Sequence, residues 1–405
     1  MPDDRPLSDV KILDLMWVMA GPASTRILAD YGATVVRIES PNRIDTARTL
    51  QPYLGNKLGS DSSGLFANCN AGKLGITLDL GNPAARAVIF DLVKWADVVT
   101  ESFSPKAMRA WGFDYDQLRK VKPDIIMLSS CLMGQTGPIA KIAGYGNMAA
   151  AISGFHNLTG WPDRPPAGPF GAYTDYISPR FSAMAILAAL DYRRRTGEGQ
   201  YIDQSQSECS LHFLGPAILD YTVNGRVRVR AGNTDHAFAP HGVYPVAGED
   251  KWIAIVCRTD DDWRRFCAAV GRDELTADSR YASIPSRLEH RETLDAVISE
   301  WSRNLEGLEI EHILQSRGIA AHRVQNSSDA YRDPQFLYRE HFVDLNHPTL
   351  GTFMLEGPRA KLSRTPALVR RAAPFLGQDN QYVLAEILGY DEDKITELVS
   401  SGVLG

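Results

Sequence analysis

The chain has 405 residues, 44% of them hydrophobic and 23% charged, and its formal net charge is −6. That length and balance are typical of a globular protein of two or three domains, and they exclude disordered and fibrous classes. The acidic surplus argues against a general nucleic-acid binder, which would carry a basic one.

The N-terminal segment is expected to carry no targeting signal. Acidic residues stand where a secretory signal has basic ones, and neither an apolar signal core nor a run of about 18 apolar residues follows. The five cysteines are odd in number, scattered and without a CxxC pair, so neither a disulfide framework nor a zinc site is expected. The sequence predicts a cytoplasmic protein with no membrane segment and no metal site.

The first third of the chain alternates short apolar segments with helical ones. Strands are predicted over residues 10–15, 34–39, 75–79, 97–101 and 124–129, and helices over residues 23–31, 84–95 and 115–121. Because parallel strands are joined by such crossover helices, the pattern predicts an α/β fold whose mostly parallel sheet is covered on both faces.

From residue 144 the chain is predicted to be mainly helical, with helices over 145–154, 178–195 and 206–223. Ser178 is interpreted as the N-cap of the second of these and Pro179 as its first helical residue. A second region begins near residue 226, with a hairpin over 241–256 and helices over 261–270, 287–304 and 308–317. An antiparallel segment over 341–356 and two short helices within 378–403 follow.

Several familiar motifs are missing from the sequence. It has no GxGxxG after the first strand, no GxxxxGK[ST], no HExxH and no GxSxG. Glu39 ends the second strand where a ribose-binding acid would lie in a nicotinamide enzyme, but without the glycines it is better interpreted as structural. The dinucleotide-binding and P-loop classes therefore lose their main support.

Two early segments could bind an anion. The small residues of the first strand–turn–helix, AGPA at 20–23, suit either a phosphate or carbonyl oxygen at a helix start, or an ordinary tight turn. Arg37, Arg43 and Arg48 cluster after the second strand, where guanidinium groups could grip phosphates or form a solvated basic loop. The residues alone leave both alternatives open.

Asp175 is the sharpest candidate for catalysis. It follows a Gly/Pro-rich loop and comes three residues before the predicted helix start, so its carboxylate is expected to stay ionised near the positive end of a helix dipole. An ionised carboxylate can attack an activated acyl group and form a mixed anhydride. By position alone, an aspartate such as Asp175 is more often an ordinary cap or loop acid.

Taken together and in this order, a series of short motifs resembles the family III CoA-transferases, which have the 2-methylacyl-CoA racemases as relatives. The resemblance covers nearly the whole chain and rests on ILDL (12–15), AGPA (20–23), LADYGA (28–33), VRIE (36–39), NAGK (70–73), LDL (78–80), ADV (96–98), ESF (101–103), GQTGP (134–138), LTG (158–160), Asp175, ILAAL (186–190) and RRTGEGQ (194–200).

The resemblance implies a large Rossmann-like domain and a smaller α+β domain, with two chains interlocked as a dimer. The large domain would comprise residues 1–225 and the returning segment 331–405, and the small domain residues 226–330. The partner chain would be a second copy or a paralogous subunit. Coenzyme A thioesters would be the substrates, and no cofactor would be bound permanently.

The resemblance also implies a covalent reaction at Asp175. The aspartate would attack the donor acyl-CoA to give an aspartyl anhydride, and the released thiolate would return to form an aspartyl-CoA thioester. An acceptor acid would then take the CoA, without metal or ATP. Succinyl-CoA is the candidate donor, because residues 168–181 look closest to transferases that act on larger dicarboxylates, such as the benzylsuccinate CoA-transferases.

By position in the family, a set of residues is expected to bind the CoA thioester. Four would line the thioester: Trp17, Val18, Met19 and Ala20. The nucleotide and pantetheine would contact the loop after Glu39 with its arginines, and also Leu78, Asp79, Leu80, Ser102, Phe103 and Ser104. Tyr145 would lie beside the thioester, and Arg109 would replace an arginine that the family carries one residue later.

Positions at which the sequence departs from the family limit the range of activities that we expect. Tyr145 stands where the racemases carry a catalytic histidine, which argues against proton abstraction, and Met19 replaces a glutamine of the oxalate enzymes. Three further residues each allow two interpretations. His241 would approach the site or have a structural role, and His156 would line the acyl pocket or pack against a helix. Arg180 would bind a second carboxylate or form a salt bridge within its helix. A racemase and a non-catalytic CoA-binding subunit are the alternatives to a transferase.

Overall fold

The computed structural model describes residues 4–40 and 42–404, and the chain forms two compact units. The larger unit comprises Met1–His156, Gly168–Arg228 and Gln335–Gly405. The smaller unit comprises Asn157–Ala167 and Val229–Pro334. In the described residues we find no helix that combines the length and the apolar character needed to cross a membrane.

A six-stranded parallel sheet forms the centre of the larger unit, in the spatial order β3-β2-β1-β4-β5-β6. This is the strand order of a doubly wound nucleotide-binding sheet. The strands are β1 Lys11–Leu15, β2 Thr34–Glu39, β3 Leu74–Thr77, β4 Val98–Glu101, β5 Ile126–Cys131 and β6 Tyr201–Ser205. The prediction of a mostly parallel α/β sheet is confirmed, but the edge strand β6 was not predicted, because its residues YIDQS carry too little apolar character.

Helices connect and flank these strands. In chain order they are α1 Ala20–Asp30, α2 Gly64–Asn70, α3 Ala85–Trp95, α4 Ala107–Trp111, α5 Tyr115–Val121, α6 Gly146–Ser153, α7 Phe155–Leu158, α8 Tyr173–Thr196, α9 Gln206–Leu211 and α10 Gly215–Asn224. Short 3₁₀ turns lie at Thr46–Thr49, Leu54–Asn56 and His212–Leu214.

Side chains alternate between the two faces of the sheet, as the pleat requires. Ile12 and Val35 pack in one buried cluster with helices α1 and α8, whereas Leu13 and Val36 pack in another with α3, α5 and the C-terminal helices. Both faces are therefore covered, and the strands read as nearly continuous apolar runs.

The smaller unit has a three-stranded antiparallel sheet of β7 His241–Pro245, β8 Trp252–Val256 and β9 Ala320–Arg323. Its helices are α11 Asp260–Val270, α12 Glu274–Ala277, α13 Ile284–Glu289, α14 Arg291–Ser302, α15 Gly307–Ser316 and α16 Ser327–Tyr331. Trp263, Phe266, Ile253 and Ile255 are among the residues of its buried core. The predicted hairpin is confirmed; strand β9, which pairs with β8 from far along the chain, was not predicted.

The C-terminal part continues with α17 Pro334–Tyr338, the hairpin β10 Phe342–His347 and β11 Gly351–Glu356, then α18 Asn380–Tyr382, a π-helical turn Val383–Ile387 and α19 Glu392–Ser400. Val383, Leu384 and Leu398 pack on the α3 face of the sheet. Because these residues fill the core of the larger unit, the C-terminal segment is part of that unit.

The structure corrects three predicted helix boundaries. Helix α8 begins at Tyr173, so Ser178 is not its N-cap and Pro179 lies inside it. The missing N–H of Pro179 removes only one backbone bond, and burial of Ile177, Ser178 and Ser182 holds the helix together across that point. The helix predicted over 206–223 is broken by the 3₁₀ turn at His212–Leu214, and the one over 287–304 is divided at His290.

Candidate active site

A cleft of about 780 Å³ opens at the carboxyl ends of strands β1 to β4. In open parallel sheets this edge is where loops converge and ligands bind. Most of the residues expected to bind a CoA thioester come together here. The cleft is lined by Trp17, Val18, Arg43, Leu78, Asp79, Leu80, Ser102, Phe103, Ser104 and Tyr145, together with unpredicted neighbours such as Ile38, Asn42, Ala107 and Trp111.

A smaller cavity of about 180 Å³ adjoins the cleft, since Trp17, Ser102 and Tyr145 are among the residues that line both. Its wall adds the predicted residues Met19, Ala20 and Asp175 and several others, including Cys131, Lys141 and Gln206. The two volumes form one path from an open cleft to the carboxyl group of Asp175.

Asp175 lies in the first turn of helix α8, and only 6% of it is exposed. Its Oδ1 accepts a hydrogen bond from the side-chain amide of Gln206, and the backbone N–H of Gly146 also bonds the carboxyl group. A Cβ atom at Gly146 would lie 2.6 Å from Oδ1, so the absence of a side chain there lets the backbone reach the acid. Gln206 is itself held by Thr174, at 2.9 Å.

Burial raises the pKa of Asp175 from 3.8 to about 6, and the hydrogen bonds from Gln206 and Gly146 offset part of that effect. Among the described residues, no cation forms an ion pair with this carboxylate. The group is therefore ionised near neutral pH yet poorly solvated, which makes it a stronger nucleophile than an exposed aspartate. We expected an ionised acid from the helix dipole; the dominant influence on its pKa is burial.

The loop between β1 and α1 is held in a strained conformation. Val18 has φ of 70°, a left-handed value that is costly for a β-branched residue. Its N–H donates to Oδ1 of Asp45 at 2.9 Å. Asp45 in turn forms a buried ion pair with Arg37, which also donates to the carbonyl of Met16 at 2.6 Å. This clamp fixes the peptide groups that line the small cavity.

The loop after β4 contacts the same turn. The N–H of Trp17 donates to Oγ of Ser102 at 3.0 Å, and its ring meets Phe103 edge to face at 5.7 Å. Glu101 is buried and accepts from the N–H of Phe103 at 2.7 Å. Burial raises the pKa of Glu101 to about 7, with partial offset by hydrogen bonds from Ser129 and Phe103. Two loops of the sheet edge are thus joined into one wall.

The expected phosphate contacts of Arg37 and Arg48 are corrected by the structure. Both guanidinium groups are fully buried, and neither lines the cleft. Arg48 bonds Glu39 at 2.7 Å and Asp61 at 2.7 Å. Although burial opposes it, Arg37 and Arg48 lower the pKa of Glu39 to about 2, so the carboxylate stays charged inside this network. The two arginines brace the loop rather than reach a ligand.

Arg43 lies in the wall of the large cleft. It is exposed and is the single cation among the described residues that line the large cleft. Arg109 is exposed on α4 and lines neither cavity, so the structure places no ligand-binding surface at it.

The three residues with two readings lie outside both cavities. Arg180 is exposed on α8 and donates to the carbonyl of Tyr176, one turn earlier, which matches the reading of a contact within its helix. His156, on α7, has a buried Nε2, and a Cβ at Gly168 would lie 2.8 Å from it, so this ring packs against the loop before α8. The Nδ1 of His241 lies 2.8 Å from the carbonyl oxygen of Asn233 in the smaller unit.

Asp45, Gln206 and Lys141 are among the site residues that sequence reasoning missed. Asp45 precedes a short 3₁₀ turn and resembles an ordinary cap; its contact with Val18 depends on the fold. Gln206 follows the unpredicted strand β6, and placing that strand beside β5 would have brought it to Asp175. Lys141 lies between the GQTGP motif and Tyr145, so a cation next to two recognised motifs was a usable signal.

All five cysteines are free thiols, as the sequence predicted. Cys131 lines the small cavity, and burial raises the pKa of its thiol to about 11. The group is therefore a neutral part of the wall at physiological pH. Among the described residues, no group of three or more histidine, cysteine, aspartate and glutamate side chains could hold a metal ion.

Comparison with known proteins adds three kinds of finding. A family profile described as CoA-transferase family III matches residues 7–380. The succinyl-CoA–D-citramalate CoA-transferase of Chloroflexus aurantiacus is 33% identical over 402 residues, covering 99% of this chain and 98% of that protein. The succinate–glutarate CoA-transferase of Agrobacterium fabrum is 32% identical over 392 residues, covering 96% and 97%.

Solved structures agree with this similarity. A CAIB/BAIF family protein from Brucella suis matches with a TM-score of 0.87 and 30% identity, covering 95% of this chain and 99% of that one. The fold of Rv3272 from Mycobacterium tuberculosis matches with a TM-score of 0.80 at 24% identity, covering 93% and 98%.

Proposed function

Because the chain belongs to CoA-transferase family III and is an enzyme that transfers CoA, we propose that it moves CoA between carboxylic acids through covalent intermediates on Asp175. The single observation that carries this proposal is the environment of Asp175. It is a buried carboxylate at the end of a path that leads from a large cleft, held by an amide and a backbone N–H, with no cation pairing it among the described residues.

The reaction follows from a carboxylate in that position. An oxygen of Asp175 attacks the carbonyl carbon of the donor thioester, the C–S bond breaks, and CoA leaves as the thiolate. The thiolate attacks the Asp175 carbonyl of the resulting anhydride, which releases the donor acid and leaves an aspartyl-CoA thioester. The acceptor carboxylate attacks that thioester, whose C–S bond breaks, so that a second anhydride forms and the CoA thiolate is released again. The thiolate then attacks the acceptor carbonyl, which yields the new acyl-CoA and regenerates Asp175.

The enclosure of Asp175 serves this sequence in two ways. With a pKa of about 6, roughly nine-tenths of the carboxylate is ionised at pH 7. A poorly solvated carboxylate attacks more readily, and the burial of Asp175 limits the access of water to an anhydride formed on it. No proton has to be gained or lost over the full cycle, so the reaction requires no general base.

We assign the large cleft to the nucleotide and pantetheine of CoA. Its volume of about 780 Å³ lies within the usual range for a small-molecule site. Arg43 would contact a phosphate, while Leu78–Leu80 and Ser102–Ser104 would flank the rest of the carrier. The thioester would then reach the turn of Trp17, Val18 and Met19, where the path narrows toward Asp175.

Relatives point to dicarboxylic substrates. The C. aurantiacus and A. fabrum proteins are named for succinyl-CoA with D-citramalate and for succinate with glutarate, and a human relative at 29% identity is named for succinyl-CoA with glutarate. We therefore propose succinyl-CoA as the donor and a dicarboxylic acid as the acceptor for this chain.

We further propose that the chain works as an interlocked dimer with a second copy of itself. Helices α8 and α10 and the turn before α10 present exposed apolar side chains: Met184 is 56% exposed, Leu219 61% and Phe213 51%. Large apolar side chains exposed in this way support a protein contact at these elements. One relative is named as a beta subunit, so the alternative to a homodimer is a dimer with a paralogous chain. Light scattering on the chain expressed alone distinguishes a dimer from a monomer that awaits such a partner.

The proposed activity is tested by incubating the protein with succinyl-CoA and a set of dicarboxylic acids, and by following new acyl-CoA species by liquid chromatography and mass spectrometry. We expect a new thioester for at least one acid with the natural protein and none above background with Asp175→Asn. Equal turnover by Asp175→Asn would contradict a covalent role for the carboxylate.

A further inference from the structure

Among the described residues, one cation lines the small cavity at Asp175. Of the residues that line it, Lys141 alone carries a positive charge and Asp175 alone a negative one. The rest of the wall is small, apolar or neutral, with Met19, Ala20 and Leu132 among its members. A charged side chain in such a wall is therefore the strongest feature that can select an acyl group by charge.

In the described part of the chain, no side chain pairs with Lys141, so no structural contact accounts for a lysine at this position. It is exposed within the segment between Gly137 and Gly144, and neither an ion pair nor a side-chain hydrogen bond holds it. No contact joins it to Asp175, so the two charges occupy separate parts of the wall. An ammonium group on a flexible four-carbon stem is available for a ligand anion there.

We propose that Lys141 binds the distal carboxylate of a dicarboxylic acyl group and so determines the substrate class. The inference rests on the proposed function, in which the reacting carbonyl lies at Asp175. A diacid then places one end at Asp175 and leaves its other carboxylate inside the cavity, where burial without a counter-charge would be costly. The Lys141 ammonium supplies that counter-charge through a charge-assisted hydrogen bond.

The other candidate for this role does not reach the cavity. A second carboxylate was one of two interpretations of Arg180, but this residue lies outside the cavity wall and donates to a carbonyl of its own helix. Arg43, the cation of the large cleft, does not line the small cavity. Lys141 is thus the cation through which a second carboxylate next to Asp175 can be recognised by the described residues.

The test compares two donors whose acyl chains have the same length. Succinyl-CoA ends in a carboxylate, and butyryl-CoA ends in a methyl group. The ratio of their kcat/KM values is measured with one acceptor for the natural enzyme, Lys141→Met and Lys141→Arg. Lys120→Met is the matched control, because Lys120 lies on α5 away from both cavities and bonds only Gln117, at 3.4 Å. Circular dichroism confirms that each variant is folded.

We expect the natural enzyme to prefer succinyl-CoA, Lys141→Met to reduce that preference about tenfold or more, and Lys141→Arg to keep most of it. High salt should weaken the preference of the natural enzyme but not that of Lys141→Met. An unchanged ratio in Lys141→Met, or an equal loss for both donors, would overturn the role of Lys141 while transfer itself still stood. Failure of the natural enzyme to transfer CoA from either donor would instead contradict the proposed function.

Discussion

The hydrogen bond from Gln206 to Asp175 predicts how the reaction depends on pH. Gln206 is buried, and its amide donates to Oδ1 of the carboxylate. Because an ionised carboxylate accepts such a bond more strongly than the protonated acid does, the bond lowers the pKa of Asp175, which burial raises to about 6 overall. Gln206→Met keeps the length of the side chain and removes the donor, so the pKa of Asp175 should rise further.

The size of the effect follows from the strength of the bond. A hydrogen bond to a charged group contributes about 1.5–3 kcal/mol, and each pKa unit corresponds to about 1.4 kcal/mol, so the pKa should rise by about one to two units. At pH 7 the ionised fraction of Asp175 would fall from roughly nine-tenths to between about one half and one tenth. The acylation rate should fall by a similar factor at pH 7 and recover near pH 9.

The measurement is the single-turnover rate of succinate release from succinyl-CoA between pH 5 and pH 9. Gln204→Met is the matched control, since Gln204 is equally buried but donates to Ser182 at 2.8 Å rather than to Asp175. Both variants should lose roughly 1 kcal/mol of unfolding free energy. Only Gln206→Met should move the inflection of the rate profile. An inflection at the natural pH in that variant would refute the assignment of Gln206.

Three other predictions follow from the same site. The pKa of Asp175 is raised on folding, so ionising it destabilises the folded state; this contribution is absent below pH 3.8 and complete above about 6. Asp175→Asn should therefore raise the free energy of unfolding, measured with urea, by up to about 3 kcal/mol over the natural protein at pH 8 and by little at pH 4. Equal increases at the two pH values would contradict this prediction. Asp45→Ala leaves Arg37 buried without its closest partner and should lower the unfolding free energy by about 3–5 kcal/mol; a loss under 1 kcal/mol would count against the clamp on Val18. Arg43→Met should raise the KM for succinyl-CoA about tenfold. The KM for succinyl-pantetheine, which lacks the phosphates, should not change, and an equal rise for both substrates would contradict a phosphate contact of Arg43.

The sequence predicted most of the sheet because its strands are apolar runs bounded by turns. Residues 34–39 and 115–121 were bounded as the structure has them. In strand 34–39, burial on both faces leaves a continuous apolar signal. The predicted start of α8 was wrong because proline is common in the first turn of a helix, and Pro179 was therefore placed there. In the structure, tertiary packing stabilises α8 on both sides of Pro179. Strands β6 and β9 were missed, since their pairing depends on segments far away in the chain.

The site could be predicted where its residues lie in motifs and could not where contacts decide their role. Arg37, Arg43 and Arg48 look alike in the sequence, yet only the fold shows that two of them are buried against Asp45 and Glu39. Burial likewise sets the pKa of Asp175, and its extent cannot be read from neighbouring residues. The resemblance supplied the identity of the acid; the structure supplied its surroundings.

The most direct test of the covalent mechanism is chemical trapping of Asp175. The protein is incubated with succinyl-CoA, the intermediate is reduced with borohydride or captured with hydroxylamine, and the modified peptide is mapped by mass spectrometry. The mechanism predicts modification at Asp175 in the natural protein and none in Asp175→Asn. A protein that binds succinyl-CoA and transfers CoA while Asp175 stays unmodified would contradict it.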